Sequence, residues 1–552
     1  MSNKKFLLLV LNLTLLVTAA LCIFVTPLDR YYFHPDELMH LDIADGATLS
    51  EVLSRGSREL HPPGSHILRH LILQGSEDVK VHRLFSIIPG VASVICAYLL
   101  GYIWLNPVAG VVLASIQLLA PFSVTYSFSI RNYALFQTSL YLLTLSLLFL
   151  GERATQKRSL LFGSLALFSC SLHYSGFFFA GSCALSYLAF SRIGKIKLPN
   201  FSNRQWFQIV GISLLLGISL SIPLLSSNTM ISGWVTYLYG KTTTPAFKTA
   251  GSVEDFTFQL LEVYTGFFGG STKRAIALLA ATITGLLLAL KRNSLWGIFP
   301  ITVFCGELLL NFFHLFPLTG SRYCTWIFLP IGMCISYLAY HVSERFSKSG
   351  QQILSLSMSA VALVYAHHLA SHDLYFKWNY ETPLTVESWR YFTETFKTKI
   401  PEQSTVVTNK LGALYLNHHL FPDKTRYIEE TIISKGYENR NVWLQSVKFK
   451  WDYEDWRDFY SVVNKIEETS SPVHLWFFSV ALTDFSIGSL YNCAKSHNLI
   501  TADLSPETKE FIVFSVSMKD IKSVLIEGSS LNQECFNRSK LRHLAQLMKA
   551  WQ

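Results

Sequence analysis

The side chains most suited to chemistry in this sequence include two adjacent carboxylates near the N-terminus. Asp36 and Glu37 follow Pro35, shortly after the first long apolar run ends at Phe24. A carboxylate placed there could act as a general base on an acceptor hydroxyl or amine, while its neighbour positions a substrate. Composition alone equally allows a solvated turn after Pro35, so the choice depends on the surrounding elements.

Two arginines form the second candidate group. Arg131 and Arg322 each stand in a short polar turn between two long apolar runs. A guanidinium binds phosphate well because its planar fork supplies paired hydrogen-bond donors. For Arg131 taken alone, snorkelling of the side chain to lipid headgroups is the alternative interpretation. Together with the acidic pair, the arginines would suit an anionic, lipid-linked substrate.

Histidines are unusually frequent in the segment that carries the acidic pair. They are His34, His40, His61, His66, His70 and His82. The stretch from Asp36 to His40 superficially resembles a zinc-protease helix, but Asp36 stands where the first metal-binding histidine would be needed. We therefore expect no cofactor, while a divalent metal held by scattered histidines stays open as an alternative.

The elements that must position these residues are membrane spans. Half of the 552 residues are hydrophobic and only 15% are charged, against about 25% charged in ordinary globular domains. A span needs about 20 mostly apolar residues, and this criterion predicts about 11 spans in a polytopic α-helical membrane protein. Their predicted ranges are 6–24, 84–104, 107–124, 133–150, 160–175, 177–190, 207–225, 275–290, 295–313, 323–340 and 353–369.

Lysine and arginine in the short loops predict the orientation, because positively charged loops stay in the cytoplasm. The loops 152–158, 191–205, 291–293 and 341–352 each carry at least two such residues, which places the N-terminus inside. The external face then holds the loops 26–82 and 226–272, the turns around Arg131 and Arg322, and everything after residue 371. This topology explains the net charge of +9 without a nucleic-acid partner.

The first apolar run and the first external loop allow further predictions. No small-x-small cleavage site follows Cys22, so we interpret the run as a retained helix rather than a secretory signal. In the loop, an amphipathic stretch near residues 44–53 and the break points at Pro62, Pro63 and Gly64 favour short helices at the membrane interface.

The chain after the last predicted span has a different character. Residues 372–552 are polar with isolated apolar runs, and we predict a separate external α/β domain after a membrane domain of residues 1–371. Strands are predicted at 404–408, 473–480 and 510–516, with helices at 411–418, 459–468 and 489–496. Cys493 and Cys535 are its only cysteines, and an oxidising compartment would let them form a disulfide.

The arrangement resembles the GT-C class of membrane glycosyltransferases, and within it the protein mannosyltransferase, aminoarabinose transferase and rhizobial lipopolysaccharide transferase relatives. The resemblance covers roughly residues 5 to 370. It rests on motifs in matching order and topological placement. They are Phe33-His34-Pro35-Asp36-Glu37, His61-Pro62-Pro63-Gly64, Arg83-Leu84-Phe85-Ser86 with Pro89-Gly90, Ser129-Ile130-Arg131-Asn132-Tyr133-Ala134-Leu135, and Ser321-Arg322-Tyr323.

The resemblance implies roles for several of these residues. Asp36 would be the catalytic base with Glu37 as its partner, and Arg131 would hold the donor phosphate. His61, Tyr133 and Arg322 are further substrate-binding candidates. Gly64 departs from the pattern, since many relatives have a large apolar residue there, and the C-terminal domain adds no motif of the class.

The implied function is transfer of a hexosyl or pentosyl group from a polyprenyl-phosphate-linked donor to a lipid, glycan or protein acceptor on the non-cytoplasmic face. The favoured location is a bacterial inner membrane rather than the endoplasmic reticulum. A transporter or flippase of lipid-linked glycans is the main alternative, although the informative charges lie at the external boundary and not at mid-membrane. A polymerase or ligase of surface glycans would keep the chemistry and change the acceptor.

Overall fold

The structure is a computed structural model, and it is described here for the parts of the chain that follow. They are residues 3–29, 35–56, 62–73, 78–153, 155–192, 253–292, 295–312, 318, 324–372, 405–409, 435–437, 442–447, 474–479, 485–503 and 512–517. Six sequence predictions lie outside these residues: His61, Arg322, Cys535, the span 207–225 and the tail helices 411–418 and 459–468.

The first part of the described chain is helical. A 3₁₀ turn, Thr26–Asp29, follows the first helix. The helices are α1 (Asn3–Val25), α2 (Pro35–Ala44), α3 (Leu49–Gly56), α4 (Gly64–Leu73), α5 (Val79–Trp104), α6 (Pro107–Leu119), α7 (Pro121–Phe128), α8 (Tyr133–Glu152), α9 (Gln156–Leu172), α10 (Ser175–Arg192), α11 (Val253–Phe268), α12 (Thr272–Lys291), α13 (Leu295–Phe312), α14 (Thr325–Ser343) and α15 (Lys348–His372).

Seven described helices are long and apolar enough to cross a membrane, which confirms a polytopic helical membrane protein. They are α1, α5, α8, α12, α13, α14 and α15. The count over the described residues rises to eight with the bent pair α6 and α7, and the predicted span 207–225 lies outside those residues. The predicted spans 160–175 and 177–190 correspond to α9 and α10. These two helices are rich in serine and glycine and do not meet the same length and composition criteria.

Two sequence predictions need correction. The span predicted at 107–124 is broken into α6 and α7, which meet at an angle of 62°. Pro121 begins the second helix, and a proline there supplies no backbone donor and obstructs continuation of the preceding helix. The region 226–272, predicted as a loop, contains α11. Its aromatic residues pack into the bundle, as in the Phe267 ring 4.7 Å from that of Phe122.

Polar contacts join segments that were predicted to share the cytoplasmic face. Arg292, just after α12, binds both carboxylate oxygens of Glu344, just after α14, at 2.6 and 3.2 Å. Asn106, between α5 and α6, donates to the Ser343 hydroxyl at 2.8 Å. Arg292 and Glu344 come from the predicted loops 291–293 and 341–352, so these two loops lie at the same end of the bundle.

The first external loop contains the short helices that its sequence predicts. At the start of α3 the Thr48 hydroxyl accepts the Glu51 N–H at 3.2 Å, and the Glu51 carboxylate accepts the Ala47 N–H at 2.8 Å. Val52 is buried while Leu49 and Leu53 are exposed. An exposed apolar face on a short helix suits the predicted position at a membrane interface.

The described part of the tail contains a mixed β-sheet. Its strands are β1 (Thr405–Asn409), β2 (Lys435–Tyr437), β3 (Val442–Val447), β4 (His474–Ser479), β5 (Ile500–Asp503) and β6 (Ile512–Ser517). They lie in the order β2-β3-β1-β4-β6-β5. The central strand β1 pairs in parallel with β3 and β4, and the outer pairings are antiparallel. The three predicted strands match β1, β4 and β6.

One helix and one disulfide complete the described tail. Helix α16 (Phe485–Ser496) covers the predicted helix 489–496. Cys493 lies in this helix and is disulfide-bonded, whereas seven other cysteines of the chain are not in disulfides. The bond at Cys493 agrees with the predicted pairing to Cys535, which itself lies outside the described residues.

The chain divides into two compact units. The first comprises Met1–Asp29 and Ile43–Thr382, and the second comprises Arg30–Asp42 and Pro383–Gln552. Helix α2 therefore begins in the second unit and ends in the first. The first external loop thus contributes residues to both units, a feature that the predicted division at residue 371 did not include.

Candidate functional site

The predicted acidic pair lies in the first turn of α2. Pro35 starts the helix, where its missing N–H and fixed φ are favourable, and negative side chains directly after it interact well with the helix dipole. Glu37 is 2% exposed and has interaction partners. For Glu37 this excludes the alternative of a solvated turn after Pro35. His40, one helical turn later, is also buried. For Asp36 the structure describes the helical backbone only.

Arg131 occupies the turn between α7 and α8. Its side chain is 3% exposed and has partners within the fold, which argues against the alternative in which it projects freely to lipid headgroups. The Arg131 N–H donates to the Ser129 carbonyl at 2.7 Å, which keeps the turn tight. A buried guanidinium needs hydrogen-bonding partners because charge is costly to remove from water.

The residues after Arg131 hold the turn in place. The Asn132 side-chain amide donates to the Leu172 carbonyl at the end of α9, at 2.6 Å. Tyr133 is buried, with its ring 4.6 Å from that of Tyr126 and 5.7 Å from the imidazole of His173. These contacts show Tyr133 packing in an aromatic cluster under the turn. Its predicted role in substrate binding stays a prediction.

Arg83 is a site candidate that the sequence did not single out by itself. Its side chain is completely buried at the start of α5. The guanidinium donates to the Phe128 carbonyl at 3.1 Å and lies 3.9 Å from the centre of the Phe128 ring. Phe128 ends α7, three residues before Arg131. The sequence could have identified Arg83 as a candidate, because it is another arginine at a predicted external boundary, where the positive-inside bias disfavours arginine.

Further basic side chains are buried in the same unit. Those on the external-loop helices and the adjacent helix ends are Arg55, His66, Arg69, His70, His82, Arg83, Arg131 and His173. The Arg69 guanidinium lies 4.9 Å from the centre of the Phe85 ring, which joins α4 to α5. Arg55 pairs with Glu51. The Ala47 N–H and then the Arg55 charge lower the pKa of Glu51. Buried basic groups of this kind are suited to binding an anion.

Two observations bear on the remaining candidates. Within the described ranges, no group of three or more His, Cys, Asp and Glu side chains is arranged to hold a metal ion. Glu307 is the clearest charged residue inside a predicted span, and it is buried in α13 with the Cys324 thiol donating to its Oε1 at 3.3 Å. Glu307 therefore takes part in packing between α13 and the start of α14.

No family model matches the sequence. No characterised relative matches it either. The structure is nevertheless similar to ArnT, the aminoarabinose transferase, of Cupriavidus metallidurans. The apo form aligns with a TM-score of 0.51 at 12% identity over 91% of this chain and 97% of that chain. The form bound to undecaprenyl phosphate aligns with a TM-score of 0.52 at 11% identity, over 93% and 98% of the two chains.

The similarity extends over nearly the whole of both chains, and it confirms the GT-C fold predicted from the sequence motifs. An oligosaccharyltransferase from Archaeoglobus fulgidus aligns with a TM-score of 0.46 at 14% identity, over 87% of this chain and 69% of that chain. That score is too low to support a shared fold by itself.

Proposed function

We propose that this protein is a glycosyltransferase that moves a sugar from a polyprenyl-phosphate-linked donor to an acceptor on the external face of the membrane. The observation that carries the proposal is the pair of buried arginines, Arg83 and Arg131, at the predicted external ends of α5 and α8. The GT-C fold supports it, as does the undecaprenyl phosphate bound in one of the compared ArnT structures.

In the proposed mechanism the polyprenyl tail stays in lipid and the donor phosphate is held at the boundary by Arg131. The bond between the anomeric carbon and the phosphate oxygen breaks while the acceptor oxygen or nitrogen bonds to that carbon. Asp36 takes the proton from the acceptor, and Glu37 orients the reactants. The Arg131 charge compensates the negative charge that grows on the leaving phosphate. We further propose Arg322 and His61 as substrate-binding residues.

The chemical class of donor and acceptor follows from the same proposal only in outline. The donor is a hexose or a pentose on polyprenyl phosphate, and the acceptor is a lipid, a glycan or a protein. The cell would be bacterial and the membrane its inner membrane, with the N-terminus in the cytoplasm and the tail domain outside.

The test is release of the lipid phosphate by the full-length protein. The purified protein in lipid nanodiscs would receive undecaprenyl phosphate carrying radiolabelled hexoses or pentoses, together with membrane extract as the source of acceptor. We expect free undecaprenyl phosphate and a labelled acceptor with at least one donor. Transport would instead move the intact donor across a vesicle membrane without breaking its sugar–phosphate bond, and that result would replace the enzymatic proposal.

A further inference from the structure

Helix α4 contacts both the end of α9 and the last residue of α2. Its first residue, Gly64, lies so close to the end of α9 that a Cβ atom there would collide with the Ser171 carbonyl oxygen. This contact explains why glycine replaces the large apolar residue of many GT-C relatives at the position after the two prolines. Farther along α4, the Arg69 guanidinium lies over the Phe85 ring of α5. Helix α4 is therefore fixed at two points.

The next residue of α4 reaches α2. The His70 Nδ1 atom lies 2.9 Å from the carbonyl oxygen of Ala44, the last residue of α2, and both residues are buried. A carbonyl oxygen can only accept a hydrogen bond, so His70 must carry its proton on Nδ1 and donate it. The last carbonyl groups of a helix have no partner within the helix, and His70 satisfies one of them.

We infer that His70 is a positioning residue for Asp36 and Glu37, an inference that rests on the proposed function. Ala44 and Asp36 belong to one continuous helix and are separated along its axis by about 12 Å, eight residues at 1.5 Å each. A helix of ten residues behaves as a short rigid body, so a tether at its C-terminal end limits the movement of its N-terminal turn. Misplacement of reacting groups by even 1 Å is costly for transfer reactions.

The inference separates catalysis from binding. Removing the His70 donor should allow α2 to move, while the buried arginines proposed to hold the donor phosphate stay in place. The variant His70→Phe keeps a flat ring of similar size and loses the hydrogen bond. We expect its kcat to fall about tenfold, the equivalent of one lost buried hydrogen bond, with KM for the donor within twofold of the original. His70→Asn keeps a donor and should recover most of the loss.

A measurement independent of turnover is hydrogen exchange of the backbone amides of residues 40–47 in the nanodisc-embedded protein. Exchange there should become about five- to tenfold faster in His70→Phe and stay near the original rate in His70→Asn. The matched control is His372→Phe, because His372 Nδ1 makes a comparable 2.9 Å bond to the His368 carbonyl at the exposed end of α15. This control should change neither turnover nor exchange at α2.

Each outcome decides a different point. Unchanged exchange in His70→Phe would overturn the tether itself. Faster exchange with unchanged kcat would overturn the positioning role, and so would a loss that appears only in KM. Absence of transfer by the unaltered protein would overturn the proposed function and the positioning role with it, whereas a drop confined to the His70 variant leaves the proposed function intact and supports the inference.

Discussion

Replacing Arg131 by lysine keeps the positive charge and removes the planar fork, so it tests the predicted contact with the donor phosphate. Arg131 is 3% exposed, and the turn that carries it is fixed by the Asn132–Leu172 hydrogen bond. The turn should therefore survive the substitution. A lysine ammonium is a point charge with donors on a flexible stem, and it cannot reproduce two parallel bonds to phosphate oxygens.

The expected magnitude follows from the number of hydrogen bonds lost. A hydrogen bond to a charged group contributes about 1.5–3 kcal/mol, and the lysine variant should lose one of two. At about 1.4 kcal/mol for each factor of ten, kcat/KM should fall about 10- to 150-fold. Because charge grows on the phosphate as the sugar leaves, most of the loss should appear in kcat rather than in KM.

The assay is release of undecaprenyl phosphate from the labelled donor under initial-rate conditions. The matched control is Arg292→Lys, which also breaks a two-bond fork, the one to Glu344 at the predicted cytoplasmic end. This pair is exposed, so the control should stay within about twofold of the original activity. A well-folded Arg131→Lys protein with unaltered kcat/KM would remove Arg131 from the phosphate site.

Three further predictions concern the base, the bundle and its cytoplasmic end. Asp36→Asn should lower kcat by about two to four orders of magnitude in the same assay without loss of donor binding. Near-normal turnover would show that Asp36 is not the catalytic base. Gly285→Ala should lower the thermal unfolding temperature and leave KM unchanged, since its Cβ would collide with the Cys334 carbonyl oxygen between α12 and α14. The hydrogen bond from Arg292 lowers the pKa of Glu344, so this pair stabilises the fold above the ordinary glutamate range and the contribution disappears as pH falls through the lowered value. Thermal unfolding at neutral pH should show that Arg292→Gln is less stable than the original protein, by at most about 1 kcal/mol because the pair is exposed. In acid the two proteins should be equally stable.

The features predicted well from sequence are those governed by local composition. Long apolar runs identify spans such as α5 and α8, and the basic loops 291–293 and 341–352 place Arg292 and Glu344 at one end, where the structure joins them. The strands β1, β4 and β6 follow from short runs of branched and aromatic residues. In each case the signal lies within a few neighbouring residues.

The features missed depend on contacts between distant segments. The bend at Pro121 interrupts an apolar run that composition alone predicts to be one membrane span. Helix α11 looks like an external loop because its sequence includes Glu254 and Asp255, and its aromatic packing against Phe122 comes from another part of the chain. The role of Gly64 likewise depends on Ser171, which no local pattern in the loop could indicate.

Burial separates two kinds of arginine that the sequence distinguishes only by position. Arg292 at the predicted cytoplasmic end has a side chain that is 45% exposed, where it pairs with Glu344. Arg83 and Arg131 at the predicted external end are buried beside the two ends of one short turn, with Arg83 bonded to Phe128 three residues before Arg131. Two buried cations associated with one turn raise the local positive potential, and that potential favours binding of an anion. The side chains that oppose the positive-inside bias are therefore the ones on which the proposed phosphate site depends.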